Sequence, residues 1–442
     1  MSFADHYFVR YKALPPFFND KPEETVEIIV IIPCLDDEFI FQTLASLEYA
    51  NTVCAKIEVI VHVNSGEQTP IDVVERNNNI LNELIIKAQE GYYKNFRLLP
   101  MSTKGTIRKK AGVGFARKTA MDEAVRRFAS IDKPDGLIVS LDADTLVDKD
   151  YFQEITGAMN VTKANCFTFQ FRHHFDASVY PENVINACRL YEIYLRYYRL
   201  ALKMFDFPFA IHTIGSCFAI RAQAYIKLGG MPPRQGGEDF YFLQKAVKMN
   251  PVYEVRKPIV FPSPRVSDRV PFGTGPSVQS IIAKGKYEVY NCELFGLLKD
   301  FYSLIRPQCH SRVGGDPPDR RLEPVEIPLT SLCRKGRGVS VTGNEGELKW
   351  IPQVIIDFIG INRFEAVFWE CKKYSSSPDA FVKRMFDHFD SFFIVKFLNS
   401  FNQSEVYPPM DILEAASIIL RYYGVYDIYD LYEQIMIQDI NT

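Results

Sequence analysis

The sequence lacks several patterns that would assign it to a common class of protein. None of its nine cysteines forms a CxxC pair, which argues against a zinc knuckle or a disulfide framework and fits a reducing cytoplasm. The phosphate-loop pattern GxxxxGK[ST] is absent, which excludes nucleotide hydrolases of that kind. No apolar run approaches the roughly 18–20 residues that a membrane-spanning helix needs. We therefore expect a cytoplasmic protein without a transmembrane segment.

The chain also lacks an excess of charge of either sign. Lys and Arg number 51 and Asp and Glu number 54, a net charge of −3, so a nucleic-acid partner is not expected. Residues 1–25 carry charges throughout and contain no apolar core, which predicts an N-terminal arm rather than a signal peptide. With 442 residues, of which 47% are hydrophobic, the chain is long enough for two or three domains.

The first half of the chain alternates between strand-like and helix-like segments. Apolar runs rich in β-branched residues occupy 26–33, 57–64, 96–101 and 136–141. Amphipathic helical patterns occupy 39–50, 73–89 and 114–129. This alternation predicts an α/β fold of the Rossmann-like, doubly wound type with a mostly parallel sheet. Such sheets bind ligands at the carboxyl ends of their strands.

Two aspartates follow the last of these strands, in GLIVSLDADT. Residues two apart in a strand point to the same side, so Asp142 and Asp144 are expected to face the crevice together. A divalent cation with oxygen ligands would relieve their repulsion, and Mg²⁺ or Mn²⁺ normally arrives bound to phosphates. The alternative is that Asp142 is a turn residue and Asp144 caps the next helix.

Three motifs in order give the sequence a more specific resemblance. PCLDDE follows the first strand, DAD the fourth, and GGMPPRQGGEDFYFLQK occupies 229–245. Together they resemble the family 2 glycosyltransferases, which have the GT-A fold, over roughly residues 26–270. The resemblance implies a nucleotide-sugar donor, a Mn²⁺ or Mg²⁺ cofactor and inversion at the anomeric carbon. It also implies that Asp144 is the direct metal ligand and that Asp142 lies near the ribose or a metal-bound water.

The same resemblance implies roles on the acceptor side of the site. Asp239 corresponds to the general base that takes the proton of the acceptor hydroxyl, and Glu238 supports its geometry. The alternative is that both acids only stabilise the N-terminus of the helix that they begin. Gly215 and Ser216, in the segment before that motif, are implied to line the pocket of the donor sugar.

On the donor side, the resemblance implies contacts from a basic, glycine-rich segment at 102–120. Arg117 is its expected phosphate contact, and Gly112 is expected to let the backbone approach the diphosphate closely. Asp37 or Glu38 from the first-strand loop, together with Asn64, is expected beside the nucleotide base. Asn64 stands where many members of the family have aspartate, and an amide offers both a donor and an acceptor, so the identity of the base is left open.

The segment 263–277 is rich in Gly, Pro and Arg and is expected to form a loop that closes over the donor. Arg265 or Arg269 is expected to meet the leaving diphosphate. The family often has a metal-binding histidine in this region, and the sequence has none between His212 and His310. Asp268 or a water molecule is the candidate substitute, and the alternative is that the third ligand is absent.

Past about residue 290 the resemblance ends. We expect an N-terminal arm at 1–25, a catalytic domain at 26–290, a loop or linker at 291–346 and an α-helical C-terminal region at 347–442. The aromatic helix predicted over 184–207 is interpreted as a domain core or a dimer face, so a homodimer is allowed. Contact with a membrane surface or a lipid-linked acceptor is the alternative.

The sequence therefore predicts an inverting, metal-dependent glycosyltransferase of the hexosyltransferase type, acting on a saccharide or a lipid-linked acceptor. Transfer is expected to be non-processive, because the QxxRW motif and the membrane helices of the processive synthases are absent. The resemblance alone implies a setting in surface polysaccharide or lipopolysaccharide synthesis, with peripheral contact at the inner face of the membrane. The alternatives are a sugar-phosphate nucleotidyltransferase and a catalytically degenerate protein that binds carbohydrate or nucleotide.

Overall fold

The computed structural model describes residues 2–50, 56–106, 112–249, 252–267, 272–305, 339–342, 348–426, 428 and 430–442. The chain divides into two compact units. The first consists of Met1–Glu192 and Ile211–Gly285, and the second of Ile193–Ala210 and Lys286–Thr442.

The first unit has the alternating strands and helices that the sequence predicts. In chain order its elements are α1 (Asp5–Arg10), β1 (Val26–Cys34), α2 (Ile40–Tyr49), β2 (Lys56–Gly66), α3 (Ile71–Gln89), β3 (Arg97–Thr106), α4 (Val113–Ser130), β4 (Leu137–Ser140), β5 (Thr145–Val147), α5 (Tyr151–Val161), β6 (Cys166–Phe171), the first half of α6 (Glu182–Lys203), β7 (Phe218–Arg221), α7 (Ala222–Lys227), α8 (Glu238–Met249), β8 (Val252–Pro262) and α9 (Thr274–Lys284).

Eight strands form one sheet in the order β3-β2-β1-β4-β7-β6-β8-β5. The strands β3, β2, β1 and β4 are parallel neighbours, and β6 is parallel to β8. The strands β7 and β5 pair antiparallel with their neighbours. The predicted α/β fold with a mostly parallel sheet is confirmed. The direction of β7 was not predicted, because a four-residue apolar run indicates a strand but not which way it runs.

The core of the first unit lies where α4 packs on the central strands. Ile29 and Ile31 of β1 are fully buried, as are Met121, Val125 and Phe128 of α4. Strands covered on both faces read as continuous apolar runs, which is why β1 and β2 could be recognised from the sequence.

The predicted N-terminal arm is fastened to this core. Tyr7 of α1 is buried, and its hydroxyl donates a 2.7 Å hydrogen bond to Oδ1 of Asp122 in α4. Residues 1–25 therefore belong to the first unit.

The second unit is mainly helical, as predicted for the C-terminal region. It contains the second half of α6, β9 (Glu288–Val289), α10 (Cys292–Ile305), β10 (Val339–Thr342), β11 (Leu348–Ile351), α11 (Gln353–Ile359), α12 (Ile361–Lys373), α13 (Pro378–His388), α14 (Ser391–Asn399), β12 (Met410–Asp411), α15 (Ile412–Tyr422) and α16 (Leu431–Asn441). Tyr197 of α6 lies in its core, fully buried, and packs edge-on against Phe295 with ring centroids 5.8 Å apart.

One stretch differs from the sequence interpretation. Residues 291–346 were expected to form a loop or linker, yet α10 occupies the beginning of this range. Leu294, Leu298, Phe301 and Ile305 recur at helical spacing and are buried. The Gly, Pro and Arg composition that suggested a linker begins only after this helix, at residue 307.

Two further expectations concern membranes and cysteines. In the part of the chain that the structure describes, no helix is both long and apolar enough to cross a membrane. The six cysteines described there are free thiols, and all are buried: Cys34, Cys166, Cys188, Cys217, Cys292 and Cys371.

We expect the Arg127→Met variant to lose much of its stability. Arg127 of α4 and Glu58 of β2 are both buried and joined by two hydrogen bonds of 2.5 and 2.6 Å. Removing the arginine leaves the Glu58 carboxylate buried without its main partner, which costs about 3 kcal/mol of unfolding free energy. Urea denaturation at pH 7 measures this loss. The matched control is Lys56→Met on the same strand, which breaks only an exposed pair with Glu23 and should change little. An equally small effect of Arg127→Met would contradict the importance of the buried pair.

Candidate active site

Polar side chains gather where the strands of the first unit end. The strands β1, β2, β4, β6 and β8 run in one direction, so their carboxyl ends lie at the same edge of the sheet. Asp37 follows β1, Asn64 lies near the end of β2, Asp142 and Asp144 form the turn between β4 and β5, Arg265 follows β8, and Glu238 and Asp239 begin α8. This is the edge at which open α/β sheets bind their ligands.

Arg117 of α4 lies at the centre of these groups. Its side chain is only 2% exposed. Nε donates to Oε1 of Glu238 at 3.1 Å, and Nη2 donates to Oδ1 of Asp142 at 2.9 Å. Nη1 donates to Oγ of Ser140 and to the carbonyl of Gly215. One guanidinium thus joins an aspartate of the DAD turn to the acidic start of α8.

Asp239 is partly exposed and receives a 2.8 Å hydrogen bond from the backbone N–H of Phe240. Its pKa is raised to about 7, first by burial and then by the negative charge of Glu238, while Arg117 opposes the shift. The phenol of Tyr191 lies close enough that Asp239 helps to raise the pKa of that hydroxyl, after burial. A carboxylate with a pKa near 7 is suited to accept a proton at neutral pH.

Arg265 joins the first-strand loop to the DAD turn. Nη1 donates to Oδ1 of Asp37 at 3.1 Å, and Nη2 contacts the other oxygen of that carboxylate. The same Nη2 lies 2.8 Å from Oδ2 of Asp144. Asp37 is nearly buried, whereas Asp144 and Arg265 remain about one-quarter exposed. Asp144 does not cap a helix, because β5 follows it directly.

The glycines at the site are approached by the protein's own atoms. A side-chain carbon at Gly112 would lie 2.8 Å from Cα of Gln235, and one at Gly215 would lie 2.5 Å from Nη2 of Arg117. Gly112 therefore packs against the segment before α8, and Gly215 against the arginine. Ser216, which follows, is 1% exposed, with Oγ 3.7 Å from Sγ of Cys217.

The buried Asn64 lines a small pocket between β2, β3 and α3, together with Asn77, Ser102 and Lys104. The backbone carbonyl of Asn64 accepts a 3.2 Å hydrogen bond from Nδ2 of Asn77, whose Oδ1 accepts from the N–H of Asp36 at 2.8 Å. Asn77 therefore links the loop after β1 to the end of β2.

Sequence reasoning did not single out Asn77 or Ser140. The signal for Ser140 was present, since it is the only polar residue in the apolar run Leu137–Ser140. Asn77 sits among three consecutive asparagines, and nothing in the pattern shows that one of them is buried. The predicted residues Asp268 and Arg269 lie outside the described residues.

The donor atoms fit a divalent cation that arrives together with its ligand. Among the described residues, no group of three or more His, Cys, Asp and Glu side chains is placed to hold a metal. Asp142 and Asp144 are 35% and 25% exposed and offer carboxylate oxygens. Mg²⁺ and similar ions are usually held by one or two carboxylates together with substrate phosphates and water. Two aspartates are therefore enough to hold such a cation when a diphosphate completes its ligands.

The sequence matches no protein-family model and no curated protein. Solved structures with some similarity include Staphylococcus aureus TarS 1-349 in complex with UDP-GlcNAc, at 12% identity and TM-score 0.37, over 62% of this chain and 66% of that one. Another is GalNAc-T7 with UDP, GalNAc and Mn²⁺, at 14% identity and TM-score 0.33, over 55% and 44%. A third is the mannosyltransferase PcManGT from Pyrobaculum calidifontis in complex with GDP-Man and Mn²⁺, at 13% identity and TM-score 0.31, over 98% and 93%. The chain spans less than two thirds of the TarS structures that it matches. Similarities at this level assign neither residues nor an activity.

Proposed function

We propose that this chain is a nucleotide-sugar-dependent glycosyltransferase, inverting, metal-dependent and non-processive. The observation that carries the proposal is the convergence of Asp142 and Glu238 on the buried Arg117, with Asp239 beside them, at the carboxyl edge of the sheet. The DAD turn and the Glu-Asp motif are thus part of one site, as expected of a site that binds a donor and an acceptor together.

In this proposal Asp239 is the general base. Its partly exposed carboxylate can receive the proton of an acceptor hydroxyl as the oxygen attacks the anomeric carbon and the bond to the diphosphate breaks. The raised pKa of about 7 makes the carboxylate a stronger base than an ordinary aspartate, and the fraction that is ionised grows as the pH rises above 7. Glu238 contacts Arg117 rather than the crevice, so we assign it a supporting role.

Asp144, with Asp142, would hold a Mn²⁺ or Mg²⁺ ion. When bound, the cation would supply positive charge to the diphosphate of the donor as it leaves. Arg265 can supply charge to the same group if it exchanges Asp144 for a phosphate oxygen. Asn64 and Asn77 border the pocket proposed for the nucleotide base.

The proposal extends to the acceptor, the biological setting and the location of the protein. A saccharide or a lipid-linked molecule is the proposed acceptor, and surface polysaccharide or lipopolysaccharide synthesis the proposed setting. A cytoplasmic location with peripheral contact at the membrane also stays a prediction.

A thermal-shift screen of UDP-, GDP- and dTDP-sugars, each with and without Mn²⁺, tests the function. Ligands that bind only the folded state raise its melting temperature in proportion to the logarithm of their concentration over Kd. We expect one nucleotide class to stabilise the protein in the presence of Mn²⁺, and the stabilising donor to be consumed with release of nucleoside diphosphate. Mn²⁺-dependent binding without turnover of any donor, tried with saccharide acceptors, would favour the degenerate binding protein. Release of pyrophosphate from a nucleoside triphosphate and a sugar phosphate would favour the nucleotidyltransferase.

A further inference from the structure

We infer that Arg117 is a positioning residue, which fixes the DAD turn against the start of α8, and not a contact to the donor phosphate. We further infer that residue 215 is glycine because the guanidinium of Arg117 occupies the space of a side chain there. Both inferences rest on the proposed function in so far as they treat this site as the active site. The role of the arginine within the site rests on its geometry.

The hydrogen bonds of Arg117 leave little of it for a ligand. A guanidinium has five N–H donors. Four of them are directed at acceptors within the protein: the Glu238 and Asp142 carboxylates, the Ser140 hydroxyl and the Gly215 carbonyl. The side chain is also 2% exposed, so a phosphate could reach it only by breaking these contacts. This differs from the phosphate contact that the sequence predicts.

The partners of Arg117 come from three separate parts of the chain. Ser140 ends β4, Asp142 belongs to the turn that follows, Gly215 precedes β7 and Glu238 begins α8. Ser140 also donates a 2.7 Å hydrogen bond to the carbonyl of Gly215. The guanidinium of Arg117 is planar and its donors point in fixed directions. It therefore sets the position of Asp142, on the proposed metal side, relative to the Glu238-Asp239 motif that contains the proposed base.

Gly215 lies at the point where this arrangement is most tightly packed. A β-carbon there would lie 2.5 Å from Nη2 of Arg117, 3.1 Å from its Cζ and 3.4 Å from Oδ2 of Asp239. The first two distances are too short for a carbon atom, so alanine at this position must displace the guanidinium or move its own backbone. The same substitution therefore disturbs Arg117 without changing the arginine itself.

Three variants test the inference: Arg117→Lys, Gly215→Ala and the double variant. Lysine keeps the positive charge but loses the planar fork. We expect Arg117→Lys and Gly215→Ala each to lower kcat by roughly a hundredfold, as expected when reacting groups are misplaced by about 1 Å. In the double variant the smaller ammonium leaves room for the alanine, so kcat should fall little below that of Arg117→Lys.

The binding measurement separates positioning from phosphate contact. The probe is the nucleoside diphosphate that stabilises the wild type, titrated calorimetrically in EDTA so that no metal contributes. We expect its Kd for Arg117→Lys to stay within about twofold of the wild type. A direct phosphate contact would instead be weakened about tenfold or more, since charge-assisted hydrogen bonds are the strong ones. Gly157→Ala in α5 and Arg256→Lys in β8 are the controls: no atom of the described residues lies within 4 Å of a β-carbon at Gly157, and Arg256 is exposed.

The outcomes distinguish this inference from the proposed function. Wild-type kcat in Gly215→Ala, additive losses in the double variant, or weakened metal-free binding in Arg117→Lys would overturn the inference while the transferase assignment stands. If the wild type transfers no sugar, the proposed function fails. The same double-mutant cycle can then be followed by urea unfolding, where coupling between positions 117 and 215 still supports their contact and additivity contradicts it. If Arg117→Lys does not fold, Arg117→Gln takes its place in the cycle and in the binding measurement, which does not depend on Gly215→Ala.

Discussion

Sugar transfer is expected to be nearly abolished in the Asp239→Asn variant, while donor binding is retained. Asparagine has the shape of aspartate and can still accept the hydrogen bond from the N–H of Phe240, but it cannot take a proton. Removal of a general base typically slows the chemical step by about 10²–10⁴-fold. Single-turnover transfer measures this loss, and calorimetric titration of the donor nucleotide in the presence of Mn²⁺ measures the binding.

The control for this variant addresses the alternative that Asp239 only favours the N-terminus of α8. Glu182→Gln removes an exposed acid from the first turn of α6 in the same unit. If helix stabilisation were the whole role of Asp239, both variants would lose a little stability and neither would lose activity. Transfer by Asp239→Asn at the wild-type rate would therefore show that another group is the base.

The pH dependence follows from the same carboxylate. The base must be ionised, and burial together with Glu238 raises the pKa of Asp239 to about 7, so wild-type transfer should rise as the pH increases through about 7. Glu238→Gln removes the neighbouring negative charge and lowers the pKa of Asp239, so the rise should move to lower pH. Measured rates between pH 5 and 9 would show the shift, and an unchanged profile would contradict the coupling between the two acids.

The sequence predicted the backbone of this site better than its side-chain contacts. The strands β1, β2 and β4 are continuous apolar runs because both faces of the sheet are covered, and each ends in polar residues. That pattern is local and therefore visible. It was enough to predict that Asp142 and Asp144 face the crevice, whereas the place of the start of α8 in the same site was only implied by the family resemblance.

The partners of the two arginines could not be read in the same way. Arg117 lies in a basic, glycine-rich segment that is typical of phosphate contacts, yet Glu238, which it contacts, lies 121 residues away. Arg265 contacts Asp37 across 228 residues. The sequence contains several acidic residues that either arginine could contact in a fold of this kind. Which of them it contacts depends on tertiary packing. The prediction of a linker over 291–346 was wrong at its start for a related reason. It rested on the Gly, Pro and Arg composition after α10 and did not take account of the apolar periodicity of α10 itself.

Replacement of Asp144 by asparagine should strongly weaken metal-dependent donor binding, in contrast to the replacement of Asp239. An amide oxygen carries no charge, so the proposed cation loses one of its two carboxylates among the described residues. Substitution of a residue that only hydrogen-bonds to a metal ligand already lowers metal affinity by about 10–100-fold. Loss of a direct ligand should lower it at least as much. Mn²⁺ titration followed by electron paramagnetic resonance, with the nucleoside diphosphate present, measures the effect. Wild-type Mn²⁺ affinity in Asp144→Asn would remove this aspartate from the metal site.

Arg265→Gln should shift Mn²⁺ binding in the opposite direction when no nucleotide is present. The guanidinium lies 2.8 Å from Asp144 and bonds to Asp37, so it neutralises the carboxylate that the cation would use. Without it, no arginine competes with the cation for Asp144, and Mn²⁺ should bind more tightly to the free protein. The same variant should transfer sugar more slowly, because the leaving diphosphate loses a cationic partner. Arg256→Gln, at an exposed position on β8, should change neither quantity. Equal or weaker Mn²⁺ binding in Arg265→Gln would mean that the arginine and the cation do not compete for Asp144.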